Sequence, residues 1–343
     1  MNLIYKRALP AVEEVLREYA PGEALLAKKR ARDEEIAAVC RGESARLLVI
    51  VGPCSADHED AVHEYVCRLS KVQEKTADRL ILIPRIYTNE PRTTCEGYKG
   101  ILHQPDPEKK PDLIGGLFAL RRMHLRCLAD TGLSAADEML YPENHVYLDE
   151  LLAYIAVGAR SVEDQQHRLT ASGISLPVGM KNPTSGDFSV MLNSITAAQQ
   201  AHEFIYRGRE AQTAGNPLAH AILRGAVNKH GQSIPNYHYE DLTRLAGMYG
   251  KRGLRNPMII IDANHANSDK RHDQQPRIVR EVMGSRRANA EIRRLVRGFM
   301  IESYLQSGAA PIGGHEYGKS ITDPCLGFSE TEELLYEMAE LAV

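Results

Sequence analysis

Apolar residues fall along this chain in short unbroken runs, separated by longer stretches in which they recur with helical spacing. The runs LLVIV, LILIP, the pair Ala135-Ala136, IAVGA, PVGM, AIL, MIIID and GFMI read as strands. Between them EDAVHEYVCRLSKVQEK, GGLFALRRMHLRCLADTG and ENHVYLDELLAYI read as amphipathic helices. Strands alternating with helices predict parallel βαβ units rather than an antiparallel sheet. Almost every run also ends on a polar group: Cys54 after the first, then Arg85, Glu138, Arg160, Lys181, Arg224, His265 and Glu302. That regularity predicts an α/β chain folded as a (β/α)₈ TIM barrel, whose chemistry gathers at the C-terminal edge of the strands.

Two departures from pure alternation complete the expected organisation. Residues 1–45 are charged and helix-prone, broken at Pro21-Gly22, and read as an N-terminal arm for regulation or oligomerisation, followed by a catalytic barrel over 46–343. Two connections exceed what a barrel needs: EPRTTCEGYKGILHQPDPEKKPD, and FIYRGREAQTAGNP, which could close a small inserted hairpin. The first turn is GPCSAD and lacks GxGxxG, so dinucleotide binding has little support.

Composition mainly excludes. The net charge of -3 provides no basic field for nucleic acid or an anionic membrane. The apolar runs fall far short of the roughly 20 residues that cross a bilayer. MNLIYKRALPAVEEV has no apolar signal core, which predicts a cytoplasmic protein. Six cysteines without CxxC spacing argue against a disulfide framework or a zinc knot.

Two groups carry candidate chemistry. Cys54, His265, Glu302 and Asp323 lie at or after strand ends, and their thiolate, imidazole and carboxylates suit Mn²⁺, Fe²⁺, Co²⁺, Zn²⁺ or Cu²⁺ better than Mg²⁺ or Ca²⁺. Arg85, Arg160, Lys181 and Arg224 would repel one another at one barrel mouth unless an anion sits among them. Arg92, Thr93 and Thr94 offer a guanidinium and two hydroxyls for a second phosphate.

The motifs GPCSAD, PRTT…GYKG, GARS…QQHR, PVGMKNPTSGD, ILRGA, DANHANSDK, MIESYL and YGKSITDPCLG together resemble the type I 3-deoxy-D-arabino-heptulosonate 7-phosphate (DAHP) synthases. That resemblance implies condensation of phosphoenolpyruvate with erythrose 4-phosphate, the first step of the shikimate pathway. It implies one divalent metal (Mn, Fe, Co or Zn) on Cys54, His265, Glu302 and Asp323. Phosphoenolpyruvate would lie on Arg85, Arg160, Lys181 and Arg224, and the aldose phosphate on Arg92 and Thr93. Glu138 and His167 are polar groups near strand ends that could orient water or move protons, and Cys325 could pair with Cys54 in a disulfide when metal is absent. The family precedent further implies a homodimer or homotetramer, and the retained arm leaves room for an aromatic amino-acid effector.

One position departs. The family's loop reads Lys-Pro-Arg-Thr-Thr, whereas Glu90 opens it here. Exchanging a cation for an anion near ~4 Å from a phosphorylated substrate is worth on the order of several kcal/mol at an effective dielectric near ~20. Glu90 therefore admits three outcomes: a carboxylate turned aside while Lys99 or another cation substitutes, a different aldehyde acceptor, or a non-catalytic regulatory paralogue. The eight-carbon sugar-acid synthases of the superfamily carry Asn-Arg-Ser-Ser at this loop, which Arg92-Thr93-Thr94 does not match.

Overall fold

The computed structural model describes residues 2–342 apart from Pro91, residues 93–95, Gly313 and His315. The expectations placed on Thr93 and Thr94 lie outside the described residues. Eight strands form the central sheet: β1 Leu47–Gly52, β2 Leu80–Pro84, β3 Ala135–Glu138, β4 Leu152–Val157, β5 Val178–Lys181, β6 His220–Leu223, β7 Ile259–Asp262 and β8 Val296–Glu302. They run in the spatial order β2-β1-β8-β7-β6-β5-β4-β3, every neighbouring pair parallel. The two outer strands meet through a parallel bridge between Arg85 and Ala136, where Ile86 N donates to Ala136 O at 2.9 Å. The ring closes there, as the run-and-helix alternation predicted.

The helices are α1 Val12–Glu18, α2 Glu23–Arg41, α3 Glu59–Thr76, α4 Leu113–Thr131, α5 Gln165–Ser172, α6 Phe188–Ala198, α7 Tyr239–Arg252, α8 His265–Ser268, α9 Gln275–Ala288, α10 Ala290–Leu295 and α11 Phe328–Leu341. Among the described residues, no helix is long and apolar enough to cross a membrane.

Strand pleat divides the core in two. Leu47, Val49 and Val51 of β1 face outward with the residues that pack on the helices. Leu48 and Ile50 face inward with Ile81, Ile83, Ala136, Tyr154, Ala156, Ile222, Ile260 and Met300, filling the barrel's interior. Helix α2 contributes Ile36, Val39 and Cys40 to this inner cluster, beside Leu218 and Met258, which precede β6 and β7. Two guanidiniums fasten it: Arg297 Nη1 donates to Val39 O at 3.1 Å and Cys40 O at 2.6 Å, and Arg32 Nη2 to Leu82 O at 2.5 Å. The second half of the expected arm is thus the lid on the barrel's N-terminal end, and a boundary at residue 45 cuts through the inner core.

ENHVYLDELLAYI is a correction. It forms a single 3₁₀ turn, His145–Tyr147, and then enters β4. Consecutive tight turns, with Leu148 N on His145 O at 2.8 Å and Leu151 N on Leu148 O at 2.8 Å, bury Tyr147, Leu148 and Leu151 without a helix. From Leu152 the chain is buried on both faces between β3 and β5, and ladder pairing overrides the local helical spacing. FIYRGREAQTAGNP does form a hairpin, Glu203–Tyr206 against Arg209–Gln212. Its turn holds Arg207 at φ 51° and Gly208 at φ 72°, the paired left-handed geometry of a two-residue hairpin loop. A second small hairpin, Ala226–Val227 with Ser233–Ile234, follows β6 and was not foreseen.

Because Ile36 is fully buried inside the barrel, Ile36→Ala should cost about 2–5 kcal/mol. Urea unfolding should show a lowered midpoint with an unchanged slope; a midpoint within error of wild type would mean that α2 is not part of the cooperative core.

Candidate active site

The inward columns of the strands end in polar groups. Two residues past Ile83, Ala136, Gly179, Ile222, Ile260 and Met300 stand Arg85, Glu138, Lys181, Arg224, Asp262 and Glu302, each on the parity that faces the interior. A layer of charge therefore roofs the apolar interior at the strands' C-terminal edge. Arg85, Glu138, Lys181, Asp262 and Glu302 are all buried.

One half of this layer gathers candidate metal ligands. The ligand atoms of Cys54, Glu302 and Asp323 lie within 4.8 Å of one another. His265 Nε2 is 3.7 Å from Glu302 Oε1, and its Nδ1 is 2.8 Å from Asp262 Oδ2, off the line of a hydrogen bond. The backbone of His265 takes φ 49°, and Ala266 onward turns at once into α8. Asn264 Nδ2 donates to Glu302 Oε2, and Lys270 Nζ sits 2.8 Å from Asp323 Oδ1. Burial, and then the charges of Glu302, Glu90 and Asp323, push the Cys54 thiol well above its ordinary range. Glu302 Oε1 is fully buried and has no aligned hydrogen bond, although Arg85 Nη2 stands 2.9 Å away. The structure brings together the thiol of Cys54 and the carboxylates of Glu302 and Asp323, with the His265 imidazole facing Glu302 but outside that mutually close set, and such donors fit a divalent ion of borderline softness.

The other half is cationic. Lys181 Nζ lies 3.5 Å from Glu138 Oε2, 3.9 Å from Asp262 Oδ2, and 5.6 Å from the Tyr87 ring centre. Gly158 leaves room for Glu138, since a Cβ there would meet Glu138 Oε1 at 2.3 Å. Arg224 has a buried Nη1 without a hydrogen-bond partner among the described residues. Burial lowers this arginine below its ordinary value, with Arg160 adding to the effect, so Arg160 is within electrostatic reach of Arg224 although its own side chain is exposed. A buried unpaired N–H costs ~1–3 kcal/mol, which a bound anion would offset. Arg85 joins the two halves: Nε donates to Pro53 O at 3.0 Å, Nη2 to Cys54 O at 3.0 Å, and its guanidinium stacks 3.7 Å from the Tyr87 ring centre.

The remaining expected residues are placed as follows. Glu90 turns toward the loop of Cys54, accepting from Ser55 Oγ at 2.7 Å, and burial raises its carboxyl above the usual range. Arg92 Nε donates back to Tyr98 O at 2.8 Å within its own loop. His167 is buried, with Nδ1 2.5 Å from Asp164 Oδ2 and Nε2 3.1 Å from Leu140 O, so both ring nitrogens are engaged by acceptors of the scaffold. Cys54 and Cys325 are both free and buried thiols.

Sequence reading overlooked three contributors. Asp262, the last residue of MIIID, contacts both His265 and Lys181. Burial alone would raise its carboxyl, but His265, Lys181 and Arg85 prevail and hold it well below the ordinary range. Tyr87 lies under two cations. An asparagine network sets the strand ends: Asn182 Oδ1 accepts from Arg224 N and from Asn236 Nδ2, each at 3.0 Å. Asn236 N donates to Asn267 Oδ1 at 2.9 Å, and Asn267 Nδ2 to Leu223 O at 3.1 Å and Asp262 O at 2.8 Å. The aspartate was legible as a charge closing an apolar run. The asparagines, far apart in sequence, gave no sign that their amides meet, although Asn182 and Asn267 fall within the motifs PVGMKNPTSGD and DANHANSDK.

Comparison with known proteins agrees with this geometry. A family model described as the DAHP synthetase I family matches residues 25–336. The Tyr-sensitive phospho-2-dehydro-3-deoxyheptonate aldolase of Escherichia coli K12 is 36% identical over 328 residues, covering 92% of this chain and 87% of the relative. The Trp-sensitive enzyme of Enterobacter agglomerans is 36% identical over 331 residues, covering 94% and 92%. The solved phospho-2-dehydro-3-deoxyheptonate aldolase of Francisella tularensis SCHU S4 superposes with a TM-score of 0.92 at 31% identity, covering 99% of this chain and 98% of that one.

Replacing Cys54 by Ala should abolish tight binding of Mn²⁺ or Zn²⁺ to chelator-treated protein, measured by equilibrium dialysis. Asp262→Asn, which loosens the orientation of His265, should weaken it by about 10–100-fold. Full affinity in Cys54→Ala would place the ion elsewhere.

Proposed function

The chain belongs to the DAHP synthetase I family and condenses phosphoenolpyruvate with erythrose 4-phosphate to give DAHP and phosphate, the first step of the shikimate pathway; we propose how its residues divide that work. The observation that carries the assignment is the buried Nη1 of Arg224, unpartnered among the described residues, at the end of the strand paired with that of Lys181, within reach of Arg160 and at the same barrel mouth as the candidate metal ligands. Arg224, Arg160 and Lys181 grip the phosphate and carboxylate of phosphoenolpyruvate. Arg85 secures the Cys54 loop and lends its charge to the same anion.

In the reaction C3 of phosphoenolpyruvate bonds to the aldehyde carbon of the acceptor. Water adds at C2, its oxygen becomes the product ketone, and the C2–O bond to phosphate breaks. Arg160, Lys181 and Arg224 hold the departing phosphate as its charge grows, a role for fixed cations. Glu138, 3.5 Å from Lys181 Nζ, orients the attacking water through Lys181, while His167 fixes the turn after β3. A divalent metal would be held by Cys54, His265, Glu302 and Asp323, and Mn²⁺, Fe²⁺, Co²⁺ and Zn²⁺ all suit these donors; when bound it supplies Lewis acidity toward a carbonyl oxygen.

Glu90 is compatible with this acceptor. Its carboxyl is tied to Ser55 and burial favours its neutral form, which reduces the repulsion that a bare charge would exert on a phosphorylated aldehyde. Arg92, with Thr93 and Thr94, remains the proposed grip on that second phosphate. We further infer a cytoplasmic homodimer or homotetramer, supported by the exposure of Leu3, Ile4, Tyr5 and Leu9 on the N-terminal segment. An aromatic amino acid as effector is supported by the relatives named as Tyr- or Trp-sensitive.

A phosphate-release assay with the two substrates tests the assignment. Arg224→Ala should lower kcat/KM on the order of 100-fold or more. Glu90→Lys should change turnover of erythrose 4-phosphate by no more than a few-fold; a large gain would show that the native acceptor is another aldehyde.

A further inference from the structure

At the opposite end of the barrel, beside the start of β1 and β8, lies a cavity of about 340 Å³. Its lining includes Arg46, Arg286, Arg287, Arg293, Arg294 and Arg297. Of these, Arg46 alone has a carboxylate partner, Glu35 at 2.9 Å; the other five form no ion pair among the described residues. Apart from Arg286 Nη1 on Met283 Sδ at 3.7 Å, their hydrogen bonds go to backbone, among them Arg286 Nε to Val296 O at 2.9 Å, Arg293 Nε to Arg286 O at 3.3 Å, and Arg297 Nε to Arg294 O at 2.7 Å. The guanidiniums of Arg287 and Arg294 have no hydrogen-bond or ion-pair partner among the described residues.

Helix ends explain part of this. Arg286 and Arg287 stand in the last turn of α9, and Arg293 and Arg294 in that of α10. Each helix C-terminus presents roughly half a negative charge, so the two ends together balance about one of the five cations. Arg287, Arg293 and Arg294 are exposed at the rim, whereas Arg286 is buried and Arg297 is half-buried where it clamps the last turn of α2. Burial, and after it the charge of Arg293, pull Arg286 down to about 10. Like charges have been gathered around an open volume whose described lining contains no acid.

We propose that this arginine cavity binds a small anion of the phosphate class bearing at least two negative charges, at a site distinct from the catalytic mouth. Guanidinium forks match phosphate oxygens pairwise, and several converging forks favour a multiply charged ligand over a single carboxylate. Free inorganic phosphates and phosphorylated metabolites share this chemistry, and a panel of both separates them. Since Arg297 contacts both the cavity and the carbonyls of α2, an occupant would also stiffen the lid.

The proposal rests on the catalytic reading only for its control. Metal-free protein would be titrated with pyrophosphate by calorimetry, in wild type, in Arg224→Ala, and in the pair Arg287→Glu/Arg294→Glu. Wild type should show two saturable phases, one lost in Arg224→Ala and the other weakened at least tenfold in the pair, whose turnover of phosphoenolpyruvate stays at the wild-type level. If Arg224→Ala removes all binding, or the pair keeps both phases, the cavity is not an anion site. Should the pair fail to fold, hydrogen exchange on the wild type decides: pyrophosphate must protect the amides of 286–297, and no protection there overturns the site. Repeating the titration with phosphate and sugar phosphates ranks the two sources, and failure of the catalytic reading would show separately, as absent turnover.

Discussion

Alternation along a parallel strand is the constraint on which this molecule rests. In a closed ring, side chains of one parity point inward, and apolar groups such as Ile83, Ile222, Ile260 and Met300 fill that interior. The next inward position at the C-terminal edge is the only one that is both anchored to the ring and open to a ligand. Arg85, Lys181, Arg224, Asp262 and Glu302 occupy it from five different strands or their ends. A slip of one residue in any strand would swap its charge for an apolar neighbour, so the ladder register and the charge layer are one specification.

The charge layer is stable as a set rather than as pairs. Lys181 lies between Glu138 and Asp262, and Arg85 between Glu302 and the carbonyls of the Cys54 loop. Removing one member of such a group leaves a buried charge uncompensated, which costs far more than an exposed pair contributes. Among the described residues several atoms of the layer have no hydrogen-bond partner: Glu302 Oε1 and Asp262 Oδ2 on the acidic side and Arg224 Nη1 on the basic side. The aromatic face of Tyr87 lies against both Arg85 and Lys181, where its ring attracts their charge.

Much of this was legible in advance, for identifiable reasons. Strand runs ending in Arg85, Lys181, Arg224 and Glu302 announced both ring and rim, because pleat and barrel closure convert a one-dimensional pattern into a shared layer. The motifs around Cys54, His265 and Asp323 pointed to the family, which periodicity alone could not. The connection before β4 misled because Val146, Tyr147, Leu148 and Leu151 have helical spacing, yet turns bury them; local spacing does not register what a neighbouring strand will demand. The position of α2 was hidden because a helix end plugging a barrel looks, in sequence, like any amphipathic arm. Arg160 reads from its strand end like its fellows but stands exposed, since it lies beyond β4 in a turn rather than on the inward column.

The amides of Asn182, Asn236 and Asn267 link the ends of β5, β6 and β7 without a single formal charge. Such a brace is indifferent to ionic strength and to acidity, so the spacing of Lys181 and Arg224 persists under conditions that perturb the charges themselves. Its weakness is chemical ageing: asparagine is among the thermolabile side chains, and hydrolysis of one amide would turn a donor into an anion beside the cations it positions. Slow, heat-driven loss of affinity for an anionic substrate, without unfolding, is the mode of decay that this architecture invites.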